Sequence, residues 1–425
     1  MAPPWWTAAP FLLLLLAIAL LPLLTPHFWE SNLHRGLVAF ACSVPTVVYL
    51  LAEGRAGIHL LLHALEEYAA FITLLGSLYT IAGGLLLADR FSAGPLTNVG
   101  FLVIGGILAN FIGTTGASMV LIRPLLRLNR HRRRRTHVPI FFLFLVSNMS
   151  GLLTPLGDPP LFLGFLRGVP FTWTLRLWKQ WLLANGIVLT LFIMWDTWLY
   201  RQEQADKVDE SAKKEKHSLP WLRGKINLLL LAGVVACVLL QAWLIQQGLS
   251  PLWSSLGMVL LGWASLKLTP PGVHEENGFT WSPIIEVAVL FAGIFVTMAP
   301  ALELLRAYGP SWNLSQAWQF FWLTGLLSSF LDNAPTYLTF ATLASAPHEI
   351  AHLAQHNPKL LEAISCGAVF MGANTYIGNG PNFMVKAIAE ENRYPMPSFF
   401  GYIFRYTLPI LIPIYLILTL LLFTT

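Results

Sequence analysis

Charge is what this chain has least of. Asp, Glu, Lys and Arg make up 11% of its 425 residues, against 56% hydrophobic, too little to cover the surface of a water-soluble protein of this size. Cysteine is scarce too: Cys42, Cys237 and Cys366 stand in apolar stretches without CxxC or His-rich spacing, which excludes a disulfide framework and a thiolate metal centre. No nucleophile and base are visibly paired, so an enzyme is not indicated, and no cofactor is called for. The net charge of +5 is concentrated in two short loops, so orientation in a membrane accounts for it and nucleic acid is not expected as a partner. What remains is an all-α polytopic membrane protein whose main partner is lipid. Sixteen Trp and 28 Pro suit interfacial anchors and interrupted helices.

Apolar spans are expected at 4–24, 36–52, 67–88, 98–122, 138–166 and 177–200, and again at 226–245, 252–266, 283–302, 317–343, 361–389 and 399–423. The first lacks a basic leader and an A-x-A-like site, so it reads as a retained helix rather than an export signal. Between the halves lies a charged linker, 201–225. Arg123 to Arg135 holds seven Arg, and 201–225 holds seven Lys and Arg against five acids. Both therefore belong on the cytoplasmic side. Arg167, Arg176 and Lys179 near the outer face run against that orientation.

One stretch does not fit a simple span. Ser147 to Phe165 reads SNMSGLLTPLGDPPLFLGF, and Thr154, Pro155, Gly157, Asp158, Pro159 and Pro160 cannot continue an α-helix. Irregular backbone inside a bilayer is tolerated only where protein buries it or it lines an aqueous cavity, and an intramembrane carboxylate is functional by default. The break occurs twice: Thr154 to Leu163, TPLGDPPLFL, matches Thr375 to Met384, TYIGNGPNFM. Two further matches keep the same order. Gly76, Thr80, Ala82 and Gly83 align with Gly293, Thr297, Ala299 and Pro300, and Phe111, Gly113 and Thr114 with Phe330, Asp332 and Asn333, the offset growing from 217 through 219 to 221.

The chain thus divides into a first repeat, 1–200, and a second, 226–425. Each carries a re-entrant hairpin (about 98–122, about 317–343) and a broken helix (about 138–167, about 361–389). With the hairpins not crossing, each half crosses five times, so the second is inverted relative to the first and both termini lie outside. Inverted repeats with discontinuous helices mark secondary transporters, whose site lies where the breaks meet.

Around the first break stand Ser147, Asn148, Ser150, Thr154 and Asp158; around the second, Asn374, Thr375, Asn379 and Asn382; at the hairpin tips, Thr114 and Thr115, and Asp332, Asn333 and Thr336. Freed carbonyls at a break suit a cation, freed amides at the next half-helix an anion. Oxygen ligands of this kind suit Na⁺, with Asp158 and Asp332 its carboxylate ligands. Each acid has two readings. It either binds Na⁺ when ionised and a proton when shielded, which suffices for exchange, or it is structural only, Asp158 as a cap of the following helix and Asp332 as a turn former. Lys386 either snorkels to the interface or faces the cavity. Glu67 and Glu286 read as interfacial, and His348, His352 and His356 as a solvated helix face.

The runs TPLGDPPLFLGFLRGVPF, FLDNAPTYLTF and GANTYIGNGPNFMVKAIAEE resemble bacterial sodium/proton antiporters of the NhaD kind and their citrate-transporter-like relatives in the ion-transporter superfamily, from about Glu67 onward. The resemblance implies an elevator-type carrier of the bacterial inner membrane, often a homodimer. It places Asn148, Thr154 and Asp158 in a first cation site and Asp332, Asn333, Thr336, Asn374 and Asn379 in a second. The carboxylate symporters of the superfamily carry Ser-Asn-Thr at both tips, where this chain has Gly-Thr-Thr-Gly and Asp-Asn-Ala-Pro. That difference and the lack of Arg at either break favour Na⁺/H⁺ antiport, the alternative being Na⁺- or H⁺-coupled transport of citrate, another carboxylate or an oxyanion such as arsenite.

Overall fold

The computed structural model describes residues 3–87, 93–205, 222–246, 252–312 and 314–424. Most of the linker expected at 201–225 lies outside the described residues. Helix dominates throughout, and the described strand is a two-residue antiparallel pair, Leu86–Leu87 against Leu222–Arg223.

Among the described residues, seven helical stretches are long and apolar enough to cross a membrane, which makes this a multi-pass membrane protein. A frame of helices is formed by Asn32–Ala52, Arg55–Gly83, Ile226–Gln246, Leu252–Leu268 and Ser282–Tyr308, packed on one another. Their outward faces carry large apolar side chains such as Phe40, Val48, Trp243, Leu260 and Trp263, a surface suited to lipid.

The third helix begins at Arg55, twelve residues before the expected start at 67. Its first turns carry His59, His63 and Glu66, whose polarity hides the helix from a hydropathy reading, whereas Gly54 at φ 67° makes the turn that joins it to the preceding helix. Glu67 consequently sits in the body of the helix and is buried.

Pro95–Leu128 is one of the seven stretches by length, yet it is not a single straight helix. Asn98 and Asn129 at its two ends exchange side-chain hydrogen bonds of 3.0 and 2.7 Å, while 31 residues of straight helix would hold them about 46 Å apart. The chain turns back at Gly113, whose φ of 75° and ψ of 157° break the helix in a region that favours glycine. This is the first hairpin. Ala317–Ser328 and Asn333–Ser345 form the second, joined through Ser329 to Asp332.

At the centre lie the first arms of the two broken helices. His137–Leu145 is buried along its whole length, and Pro358–Met371 is buried from Ala363 onward. Being apolar on every face, such segments belong inside a bundle. Gly367 lets the second arm press against the Phe321 carbonyl of the second hairpin, where a Cβ would meet the oxygen at 2.5 Å.

Candidate functional site

Both breaks have one local form. After His137–Leu145 the chain makes a 3₁₀ turn, Met149–Leu152, and reaches Asp158 in an extended conformation (φ −144°, ψ 143°) before Pro159–Leu166 begins. After Pro358–Met371 it makes a 3₁₀ turn, Gly372–Asn374, and reaches Asn379 in the same conformation (φ −154°, ψ 140°) before Gly380–Glu391. Prolines at the first or second helical position start the new helix, where their missing N–H costs nothing. Each break folds over itself at a glycine pair: a Cβ on Gly157 would collide with the Gly151 carbonyl oxygen, and one on Gly378 with that of Gly372.

Each break is tied to its own hairpin through the corresponding threonine. Thr154 Oγ1 donates to the Asn110 carbonyl, Asn110 Oδ1 accepts from Leu153 N at 2.9 Å, and Thr114 N donates to the Gly157 carbonyl at 2.8 Å. In the second half Thr375 Oγ1 donates to the Ser329 carbonyl, and Asn374 Nδ2 donates to Ser329 Oγ at 2.9 Å. Asn110 and Ser329 were not among the sequence candidates. Their positions within apolar hairpin arms resemble those of any helix-joining polar residue, so no signal marked them.

The four elements converge on Asp158, which is 1% exposed. Its Oδ1 accepts from Thr114 Oγ1 at 2.9 Å and from Asn379 Nδ2 at 3.3 Å; its Oδ2 accepts from Asn333 Nδ2 at 2.5 Å. One donor comes from the first hairpin tip, one from the second, and one from the second break. Asp158 makes no side-chain capping bond, so the capping reading of this residue fails. Asn148 extends the cluster: its Nδ2 donates to Asn382 Oδ1 at 2.6 Å, and its Oδ1 accepts from Asn379 Nδ2 at 3.2 Å.

Other candidates make no hydrogen bond to Asp158. Asp332 is half-buried and caps the second arm of its hairpin, accepting from Ala334 N at 3.0 Å. Thr336 turns its hydroxyl back to the Asp332 carbonyl at 2.8 Å, a bond within its own helix. Thr115 is half-buried and contributes none of the bonds that hold Asp158. Thr154, Thr375 and Asn374 support the breaks rather than touch Asp158.

The carbonyls freed at the breaks, expected as cation ligands, are largely taken by protein donors. Tyr415, Tyr402 and Thr407 donate to the carbonyls of Phe370, Ala373 and Asn374 at 2.7 to 2.8 Å. Trp181 and Thr174 donate to those of Ser150 and Leu153 at 2.9 Å. Buried backbone acceptors seek partners wherever donors can reach, and neighbouring helices supply them. Among the described side chains, oxygens placed to meet a cation include the Asp158 carboxylate, and Asn333 Oδ1 and Asn374 Oδ1 are buried without a hydrogen-bond partner.

A second buried polar cluster went unread in the sequence. Asp196 is fully buried; it accepts from Arg132 Nη1 at 2.5 Å and from Asn98 Nδ2 at 2.8 Å, and lies 2.8 Å from His137 Nε2. Arg132 also reaches Glu203 at 3.2 Å. Part of the arginine run is thus internal, clasping the open end of the first hairpin to the Trp178–Ala205 helix.

A family model described as "Putative citrate transport" matches residues 1–423. No curated protein matches the chain.

Proposed function

The chain belongs to the citrate-transport family, and from that membership together with the Asp158 cluster we propose a secondary active carrier in which Asp158 alternately holds a cation and a proton. The observation that carries this reading is a carboxylate shut away from water and met only by neutral donors from Thr114, Asn333 and Asn379. A buried unpaired charge costs several kcal/mol, so it is neutralised by a proton or a cation. Both options use one oxygen pair and exclude each other, which couples the two flows.

We read the cation as Na⁺ and the reaction as Na⁺/H⁺ antiport, the NhaD-type chemistry. Hard oxygen donors suit it, Asn333 Oδ1, on the amide that donates to Asp158, supplies another, and a multivalent anion would meet neither Arg nor Lys among the partners of Asp158. Anion binding at the N-terminus of Pro159–Leu166 is weakened further because Pro159 and Pro160 remove two of its free N–H groups. Asp332 then acts as a helix cap beside Asn333. The family description favours a second reading, cation-coupled uptake of citrate or a similar carboxylate, with Asp158 as the coupling site.

The two halves, 1–200 and 226–425, act in this reading as inverted repeats. The frame stays fixed in a bacterial inner membrane as part of a homodimer, and hairpins and broken helices move as an elevator-type unit. The experiment uses proteoliposomes holding a pH dye and pulsed with Na⁺, Li⁺, K⁺ or citrate. Cation-driven proton release that disappears in Asp158→Asn is expected. Citrate-driven flux without cation-for-proton exchange selects the second reading, and wild-type rates in Asp158→Asn refute both.

A further inference from the structure

The helices that follow the two breaks carry one motif but are packed differently. Phe162 on Pro159–Leu166 is 1% exposed, whereas its counterpart Phe383 on Gly380–Glu391 is 55% exposed. A polar contact shows the same asymmetry. Arg167, at the end of the first of these helices, meets Glu67 on the frame helix Arg55–Gly83: Nη2 donates to Oε2 at 2.8 Å and Nε stands 2.6 Å from Oε1, both side chains being largely buried. His63 adds a ring nitrogen 3.7 Å from Glu67 Oε1. In the second half, Glu286 stands 219 residues after Glu67, two more than the 217 that aligns Gly76 with Gly293 on the same two helices. It pairs with Arg35 on another frame helix, at 3.1 Å. The nearby cation on the second post-break helix, Lys386, pairs with Glu390 of its own helix at 2.7 Å.

We propose that Glu67 and Arg167 form an access latch: their two-point ion pair fastens the post-break helix of the first half to the frame, and the carrier must open it to reach its opposite state. This rests on the reading of two inverted repeats that exchange conformations. A guanidinium–carboxylate pair with one charge-assisted hydrogen bond and a second close ionic contact is strong where water is scarce, and it forms in one state only if the two helices separate in the other. Removing it shifts the population away from the state described here. Phe162 then becomes accessible and Phe383 shielded.

The test reads accessibility rather than flux. In full-length protein with Cys42, Cys237 and Cys366 replaced, Phe162→Cys or Phe383→Cys is introduced and labelled with a small hydrophilic maleimide in open membrane sheets. With the latch intact, position 383 labels and 162 does not. In Glu67→Gln or Arg167→Gln, labelling at 162 is expected to rise and that at 383 to fall, each by about fivefold, the response of a two-state equilibrium to a modest bias. The charge swap E67R/R167E restores the original pattern. Monodisperse elution of each variant checks folding, and the swap separates a latch from mere damage. Unchanged labelling at both positions in a monodisperse Arg167→Gln protein overturns the latch. Labelling that rises at 162 without falling at 383 overturns the exchange between repeats, and neither result depends on whether Asp158 carries the cargo.

Discussion

Asp158 and Asp332 look alike in the sequence, each an acid beside a proline-containing helix start, but their surroundings separate them. Asp158 spends both oxygens on side chains of three other segments, while Asp332 spends one on its own helix. Asp332→Asn is therefore expected to keep the fold, since Asn caps as well as Asp, and to change transport far less than Asp158→Asn. Proton release from proteoliposomes compares the two. Hydrogen bonds to a charged group contribute about 1.5–3 kcal/mol, so Thr114→Val and Asn333→Ala should each weaken cation affinity by roughly tenfold or more. Half-saturation by Na⁺ in the same assay measures this, and unchanged affinity in both would remove Asp158 from the site.

At the scale of the element, breaks and hairpins are governed by where the backbone can bend. Gly113 combines φ 75° with a Cβ position 3.3 Å from the Leu156 carbonyl oxygen, so Gly113→Ala is expected to cost about 1–3 kcal/mol and lower the melting temperature of purified protein. The two interrupted helices were legible in advance because Thr154 to Leu163 and Thr375 to Met384 repeat a pattern that no continuous helix can accept. The extent of the third helix was not, because His59, His63, Glu66 and Glu67 look like a loop to hydropathy, although the last of these finds a buried partner in Arg167. Nor was the fate of the freed carbonyls. Their donors, Tyr402, Thr407 and Tyr415, lie on a helix whose facing could not be read before it was packed.

At the scale of the molecule, Arg132, His137, Asp196 and Asn98 join the open end of the first hairpin to a buried arm and to the Trp178–Ala205 helix. Removing one partner of a buried ion pair strands the other, at roughly 3–5 kcal/mol. Asp196→Ala should thus lower thermal stability clearly while leaving the Na⁺ half-saturation of the surviving folded protein near wild type. An altered affinity at unchanged stability would instead place this cluster in the transport pathway.

Membrane residence, the order of spans, the duplicated break and the candidate polar residues follow from sequence alone, because a bilayer penalises charge and unpaired backbone so heavily that departures from plain apolar helix stand out. Which acid is held by neutral donors, which carbonyls remain free and which arginines turn inward were decided by tertiary structure. Those outcomes depend on distances between segments as much as 234 residues apart, as with Asn148 and Asn382, and local pattern carries no record of them.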